Sequence, residues 1–172
     1  IGAGLLTGAL LATGVVGKSG ATTFDTGANQ AITINPNDES TTTATAVAAK
    51  ALPSVVTVNV TTSDGEGLGS GVIYDTDGDI ITNNHVIEDA AKDSSVTVEV
   101  AFANGDKYTA KLVGGEQDND VAVLKIEAAG LTPVTLGDSG KLVVGEPVYA
   151  IGNPLGELTF TFTGGYVSAK DR

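Results

Sequence analysis

From Val56 to Thr61 apolar and polar residues alternate without a break, Val56, Val58 and Val60 at one parity and Thr57, Asn59 and Thr61 at the other. Successive side chains of a strand point to opposite faces, so this run lays three valines on one side of a sheet. A helix would need apolar positions every three or four residues, and none recur that way here. The pattern returns in short pieces. Residues 71–74 read as a strand, Asp75-Thr76-Asp77-Gly78-Asp79 as a tight turn, and Ile80-Ile81-Thr82 as the next strand. Val96, Val98 and Val100 alternate again, Asn104-Gly105 is a hairpin signal, and residues 108–113 form its return strand. Residues 121–126 are an apolar run of buried-strand length. Two more strands are expected at 147–151 and 158–168, and no helix longer than two turns is expected after Pro53. Short strands at regular spacing, separated by turn signals, make an all-β barrel or sandwich.

Aliphatic side chains must fill that architecture, because 41% of the residues are hydrophobic but only 5% are aromatic. With 172 residues there is chain enough for one real core. The formal charge of −12 excludes a nucleic-acid surface, which would be basic, and disfavours docking on anionic lipid. Cysteine is absent, so disulfides, thiolate metal sites and a cysteine nucleophile are excluded. With one histidine as well, no metal site and no cofactor is expected.

The first 17 residues, IGAGLLTGALLATGVVG, carry no charge and include Gly2, Gly4, Gly8 and Gly14. They read as part of a transmembrane helix or signal anchor whose start is missing, since a span needs about 20 apolar residues. A cleaved signal peptide is the rival reading. Residues 18–44 are rich in Thr, Ala, Asp, Asn, Ser and Gly and read as a flexible tether. Residues 45–52 favour a short helix stopped by Pro53. The folded domain is expected over 45–172.

Chemistry concentrates at two places. His85 lies in Thr82-Asn83-Asn84-His85-Val86, directly after a strand, polar on one side and apolar on the other. That setting puts an imidazole at a strand end, near the surface yet packed beneath, where a general base must sit. Asp120, in Asp118-Asn119-Asp120-Val121, is the last polar residue before a buried strand. A partly desolvated carboxylate there can accept a hydrogen bond from the histidine Nδ1–H and fix its tautomer. Asp118 is the second choice. A polar turn ahead of a strand is the bland reading of the same cluster.

Gly69-Ser70-Gly71-Val72-Ile73, Thr82 to Val86, Asp120 to Ile126, Leu136-Gly137-Asp138-Ser139, Gly152-Asn153-Pro154-Leu155-Gly156 and Val167-Ser168-Ala169 occur in the order seen in HtrA/Deg proteases. From about Leu52 to Arg172 the chain resembles that family. The resemblance implies a trypsin-like double β-barrel, with the first barrel complete and the second begun. It implies a serine endopeptidase acting on unfolded or damaged proteins outside the cytoplasm, with His85 and Asp120 in its catalytic triad. It also implies a homotrimer and a following PDZ domain. The family's Gly-Asn-Ser-Gly-Gly nucleophile segment does not occur in these residues, so the serine is expected beyond Arg172 and the 172-residue chain is expected to be inactive by itself. A barrel that lost its serine and kept a peptide-binding or chaperone role is the alternative. A tethered structural domain would leave the paired His and Asp segments unexplained.

Four segments mimic other sites. Gly137-Asp138-Ser139-Gly140 resembles a nucleophile segment, but Lys141 stands where the second glycine is needed to turn backbone N–H groups inward. Asp75 to Asp79 resembles the start of a calcium loop, but Ile80 and Val86 occupy its sixth and twelfth positions. Ser70 lacks the strand-to-helix elbow, and the segment from Gly152 to Gly156 lacks a phosphate loop's lysine.

Overall fold

The computed structural model describes residues 22–25, 31–34, 42–153 and 160–170. Two short strands, β1 (Thr22–Asp25) and β2 (Ala31–Ile34), pair antiparallel, Thr22 opposite Ile34. The tether reading of 18–44 contained no such pair. β-Branched residues and Phe24 supply the strand preference that the bulk polarity of the segment hid. The expected membrane segment 1–17 lies outside the described residues. Among those described, no helix is long and apolar enough to cross a membrane.

Helix α1 (Thr43–Ala51) starts where Thr42 and Thr45 cap each other, each side-chain oxygen accepting the other's backbone N–H. It passes into a 3₁₀ turn, Leu52–Ser54, at Pro53. Then come β3 (Val55–Thr62), β4 (Gly65–Ile73) and β5 (Asp79–Thr82), helix α2 (Asn84–Lys92), and β6 (Thr97–Ala101), β7 (Lys107–Glu116) and β8 (Val121–Lys125). These six strands close into a barrel in the order β3-β4-β5-β8-β7-β6, every pair antiparallel, with β6 returning to β3. The alternation of β3 does what the sequence implies. Val56, Val58 and Val60 join Ile73, Ile80, Val98, Val100, Ala110, Ala122, Leu124 and Ile126 in one buried cluster. Each valine, isoleucine or leucine side chain among them, fully buried, contributes about 1.5–3 kcal/mol.

The turn from β4 to β5 needs its glycine. Gly78 has φ +100, and a Cβ there would strike the Ile126 carbonyl oxygen, which lies on the strand exit opposite. Asp75 holds the turn, its Oδ1 accepting from the Asp77 and Asp79 N–H groups at 3.0 and 3.1 Å. Between Leu112 and Gly114 the β7–β8 register shifts by a bulge, which leaves Val113 63% exposed and lets β7 run on to Glu116.

α2 corrects the expectation that no helix longer than two turns follows Pro53. It spans nine residues and carries Ile87 into the barrel core with no exposure. Beyond the barrel, after a 3₁₀ turn at Ser139–Lys141, strands β9 (Pro147–Gly152) and β10 (Thr161–Tyr166) pair with each other. They are the expected beginning of a second sheet.

Candidate active site

α2 leaves the end of β5 at Asn83, so His85 is the second residue of a helix rather than the tip of a strand. Gly69 on β4 makes room for it. A Cβ at that position would lie 2.5 Å from Val86 Cγ1, so any larger residue would displace the Val86 side chain at the helix start. The consequence is the surroundings that the sequence reading asked for. Ile87 is buried beneath, while the His85 side chain is 69% exposed.

Asp120 arrives from the other side, at the end of the hairpin between β7 and β8. Glu116 shapes that hairpin. Its carboxylate accepts from the Asp118 and Asn119 backbone N–H groups at 2.8 Å each and from Asn119 Nδ2 at 2.6 Å. These backbone bonds hold the Glu116 carboxyl below the usual carboxylate range. Asp120 itself sits at φ 53, in the left-handed region that Asp and Asn tolerate better than other side chains.

The two residues meet. His85 Nδ1 lies 2.7 Å from Asp120 Oδ2, and the His85 backbone N–H donates to Asp120 Oδ1 at 2.8 Å. The Asp120 carboxyl is held below its ordinary range first by that backbone N–H and then by the His85 ring. The cause is hydrogen bonding. Burial works in the opposite direction, and the side chain is still 35% exposed. An ionised carboxylate can only accept, so a neutral imidazole in this bond carries its proton on Nδ1 and presents the Nε2 lone pair. Among the described residues no hydrogen bond reaches Nε2. Of the two aspartates singled out from the sequence, Asp120 reaches the histidine. Asp118 is exposed, and its N–H is taken by Glu116.

A cavity of about 350 Å³ opens beside Asp120, lined by Thr82, Asn83 and Asp120 on the barrel and by Tyr149 and Ile151 on β9, with His85 outside its lining. Residues 69–172 match the family model described as the trypsin-like peptidase domain.

The chain belongs to the trypsin-like peptidase family.

Relatives of this peptidase domain share a narrower character. It is 46% identical over 104 residues to a probable periplasmic serine endoprotease, DegP-like, of Chlamydia trachomatis, covering 60% of this chain and 20% of that protein. A protein of the same description from Pseudomonas putida is 48% identical over 105 residues, covering 61% and 21%. The crystal structure of the serine endoprotease from Yersinia pestis superposes with a TM-score of 0.67 at 39% identity, covering 76% of this chain and 46% of that one. The chain thus spans about a fifth of the length of the curated relatives it matches.

The peptidase domain also disposes of the mimics. Ser139 opens an exposed 3₁₀ turn capped by Asp138, whose Oδ1 accepts from the Gly140 N–H, and no hydrogen bond joins it to His85. Ser70 lies inside β4 and its Oγ accepts from the Asn153 N–H at 2.8 Å, so there is no elbow. Asp79 is paired with Lys125 at 3.2 Å, the Asp75 carboxylate is taken up by its own turn, and the segment is a hairpin. Of Gly152 to Gly156 only the first two residues are described. Asn153 is buried there, its Nδ2 donating to Val56 O at 3.3 Å and its Oδ1 accepting from Phe160 N–H at 2.7 Å.

One polar residue of the site escaped the sequence reading. Asn83 Nδ2 donates to Asp120 Oδ2 at 3.0 Å and to the Asp120 carbonyl oxygen at 3.2 Å. Its place two residues before the histidine was the available signal, but an asparagine ending a strand is also an ordinary helix cap.

Proposed function

We propose that this chain supplies the general base and orienting acid of an HtrA-type serine endopeptidase, with the nucleophilic serine carried by sequence beyond Arg172. The observation that carries the reading is the imidazole held through Nδ1 by Asp120 with Nε2 left for another partner. In the reaction His85 Nε2 takes the serine hydroxyl proton as Oγ bonds to the scissile carbonyl carbon. The ring then gives that proton to the leaving amine as the C–N bond breaks. Asp120 keeps Nε2 turned to the serine and stabilises the imidazolium between the two steps.

The substrates in this reading are unfolded or damaged proteins outside the cytoplasm, in keeping with relatives described as periplasmic endoproteases. Residues 1–17 would tether the domain to the cell membrane as a single span, with 18–44 as the connection, because that stretch carries no charge. Trimeric assembly and a following PDZ domain rest on the family resemblance alone.

A fluorophosphonate probe tests the reading, since it marks only a serine activated by its base. The complete protein is expected to be labelled at a serine after Arg172, and His85→Ala is expected to abolish labelling. Undiminished labelling of His85→Ala would overturn the assignment. No label on the complete protein would favour the peptide-binding alternative.

A further inference from the structure

An acid that is held only by its base cannot orient that base. Both bonds that His85 makes to Asp120 come from one residue, one from its ring and one from its backbone. The independent hold comes from Asn83. An amide nitrogen carries two hydrogens. Here it lies within reach of two acceptors on the same residue, the Asp120 carboxylate at 3.0 Å and the Asp120 carbonyl at 3.2 Å. A single group that bridges an aspartate's carboxylate and its own carbonyl restrains the three torsions between them, χ2, χ1 and ψ. That matters at a residue whose φ of 53 lies outside the common regions and whose carboxylate is partly exposed.

A second observation points the same way. Asn83 is the N-cap of α2 but makes no side-chain cap bond. An asparagine at that position ordinarily accepts from the N–H of the second or third helical residue. The N–H of the second residue, His85, goes instead to Asp120 Oδ1. Asp120 has taken over the cap, and the Asn83 amide is turned toward the acid. The acceptors around it settle which end is nitrogen, because both partners are oxygens that cannot donate.

We infer that Asn83 is a positioning residue of the peptidase site, clamping the Asp120 carboxylate to the Asp120 backbone so that Oδ2 holds the imidazole in its Nδ1–H tautomer. The inference rests on the reading of His85 and Asp120 as base and acid, and it adds a third residue that acts through Asp120. It separates two jobs of one segment, since Asn83 can lose its clamp without losing the helix start. Asn83→Asp has the same shape and remains a good N-cap. It replaces the two donors with a charge that repels Asp120.

His85 is the only histidine, so a long-range ¹H–¹⁵N spectrum of the ¹⁵N-labelled 172-residue chain reads its tautomer without ambiguity. The neutral ring of the parent chain is expected to be mainly Nδ1–H. Asn83→Ala and Asn83→Asp are expected to keep the amide-exchange protection of the barrel strands at the parent's level. In both, the Nδ1–H to Nε2–H ratio should fall about five-fold or more, the equilibrium worth of one ordinary hydrogen bond. Asp120→Ala is the control. If it shifts the ratio and neither Asn83 variant does, the inference about Asn83 is wrong and the base–acid reading stands. If Asp120→Ala leaves the ratio unchanged, that reading fails and takes the inference with it. Loss of the fold in both Asn83 variants would also overturn the inference, because a positioning residue leaves the barrel intact.

Discussion

The barrel and the β9–β10 hairpin are made of similar strands held in different ways. Each barrel strand has a neighbour on both sides, and Val56, Val58, Ile73, Ile80 and Leu124 inside it are fully buried. β9 and β10 pair only with each other among the described residues, and Tyr166 at the end of β10 is 73% exposed. Besides its own ladder the hairpin carries the stack of Tyr149 on Phe162, with ring centroids 4.9 Å apart, and Asn153 ties it to the barrel through its side chain on β3 and its N–H on Ser70 of β4. His85 and Asp120 both belong to the barrel side of this division. Closure there fixes the helix start and the β7–β8 hairpin relative to each other, and the hydrogen bonds that join Asn83, His85 and Asp120 are all made by barrel-side residues.

The sharpest way to break the comparison is to remove bulk from each region. Ile80→Ala should cost about 2–5 kcal/mol in urea unfolding, because it opens a hole in a core that cannot collapse around it. Phe162→Ala should cost less than that, about 0.5–1.5 kcal/mol for the lost aromatic pair plus the burial of a half-exposed ring. Equal costs would mean that the hairpin is as much a part of the core as the barrel.

A smaller effect sharpens the boundary. Asn153→Ala leaves the Ser70 bond to the backbone but removes every bond of a buried amide, at about 1–3 kcal/mol. Amide exchange should speed up in β9 and β10 while β3 to β8 keep their protection. Loss of protection throughout would show one cooperative unit.

The smallest effect separates the site from the core that carries it. The Asp120 and Glu116 carboxyls are both held below their usual range by backbone N–H groups. Their contribution is present above the ordinary carboxylate range and is lost as pH falls through the depressed values. Acidification from pH ~7 toward ~3 should therefore loosen residues 116–120 before the barrel strands. Amide exchange across that range reads it, and barrel strands that open first would contradict it.

What the sequence disclosed follows the same division. The barrel strands were legible because alternation survives wherever one face is buried, as Val56, Val58 and Val60 show. Val113 broke the pattern because a bulge adds a residue without changing residue type. α2 was hidden because only Ile87 of its nine residues is buried, too little periodicity to register beside a strand. His85 and Asp120 were found as types in context. Asn83 was not, because its part depends on which way an amide turns at a helix cap, and that is decided by Asp120, 37 residues away.

The central claim is that Asp120 serves His85. Asp120→Asn tests it with the least disturbance, since asparagine also tolerates the left-handed backbone and keeps the size of the side chain. In the complete protein, turnover of an unfolded substrate by this variant should fall on the order of 10⁴-fold, the loss known for a chymotrypsin-type triad whose acid becomes an amide. Turnover within a few-fold of the parent would contradict the account.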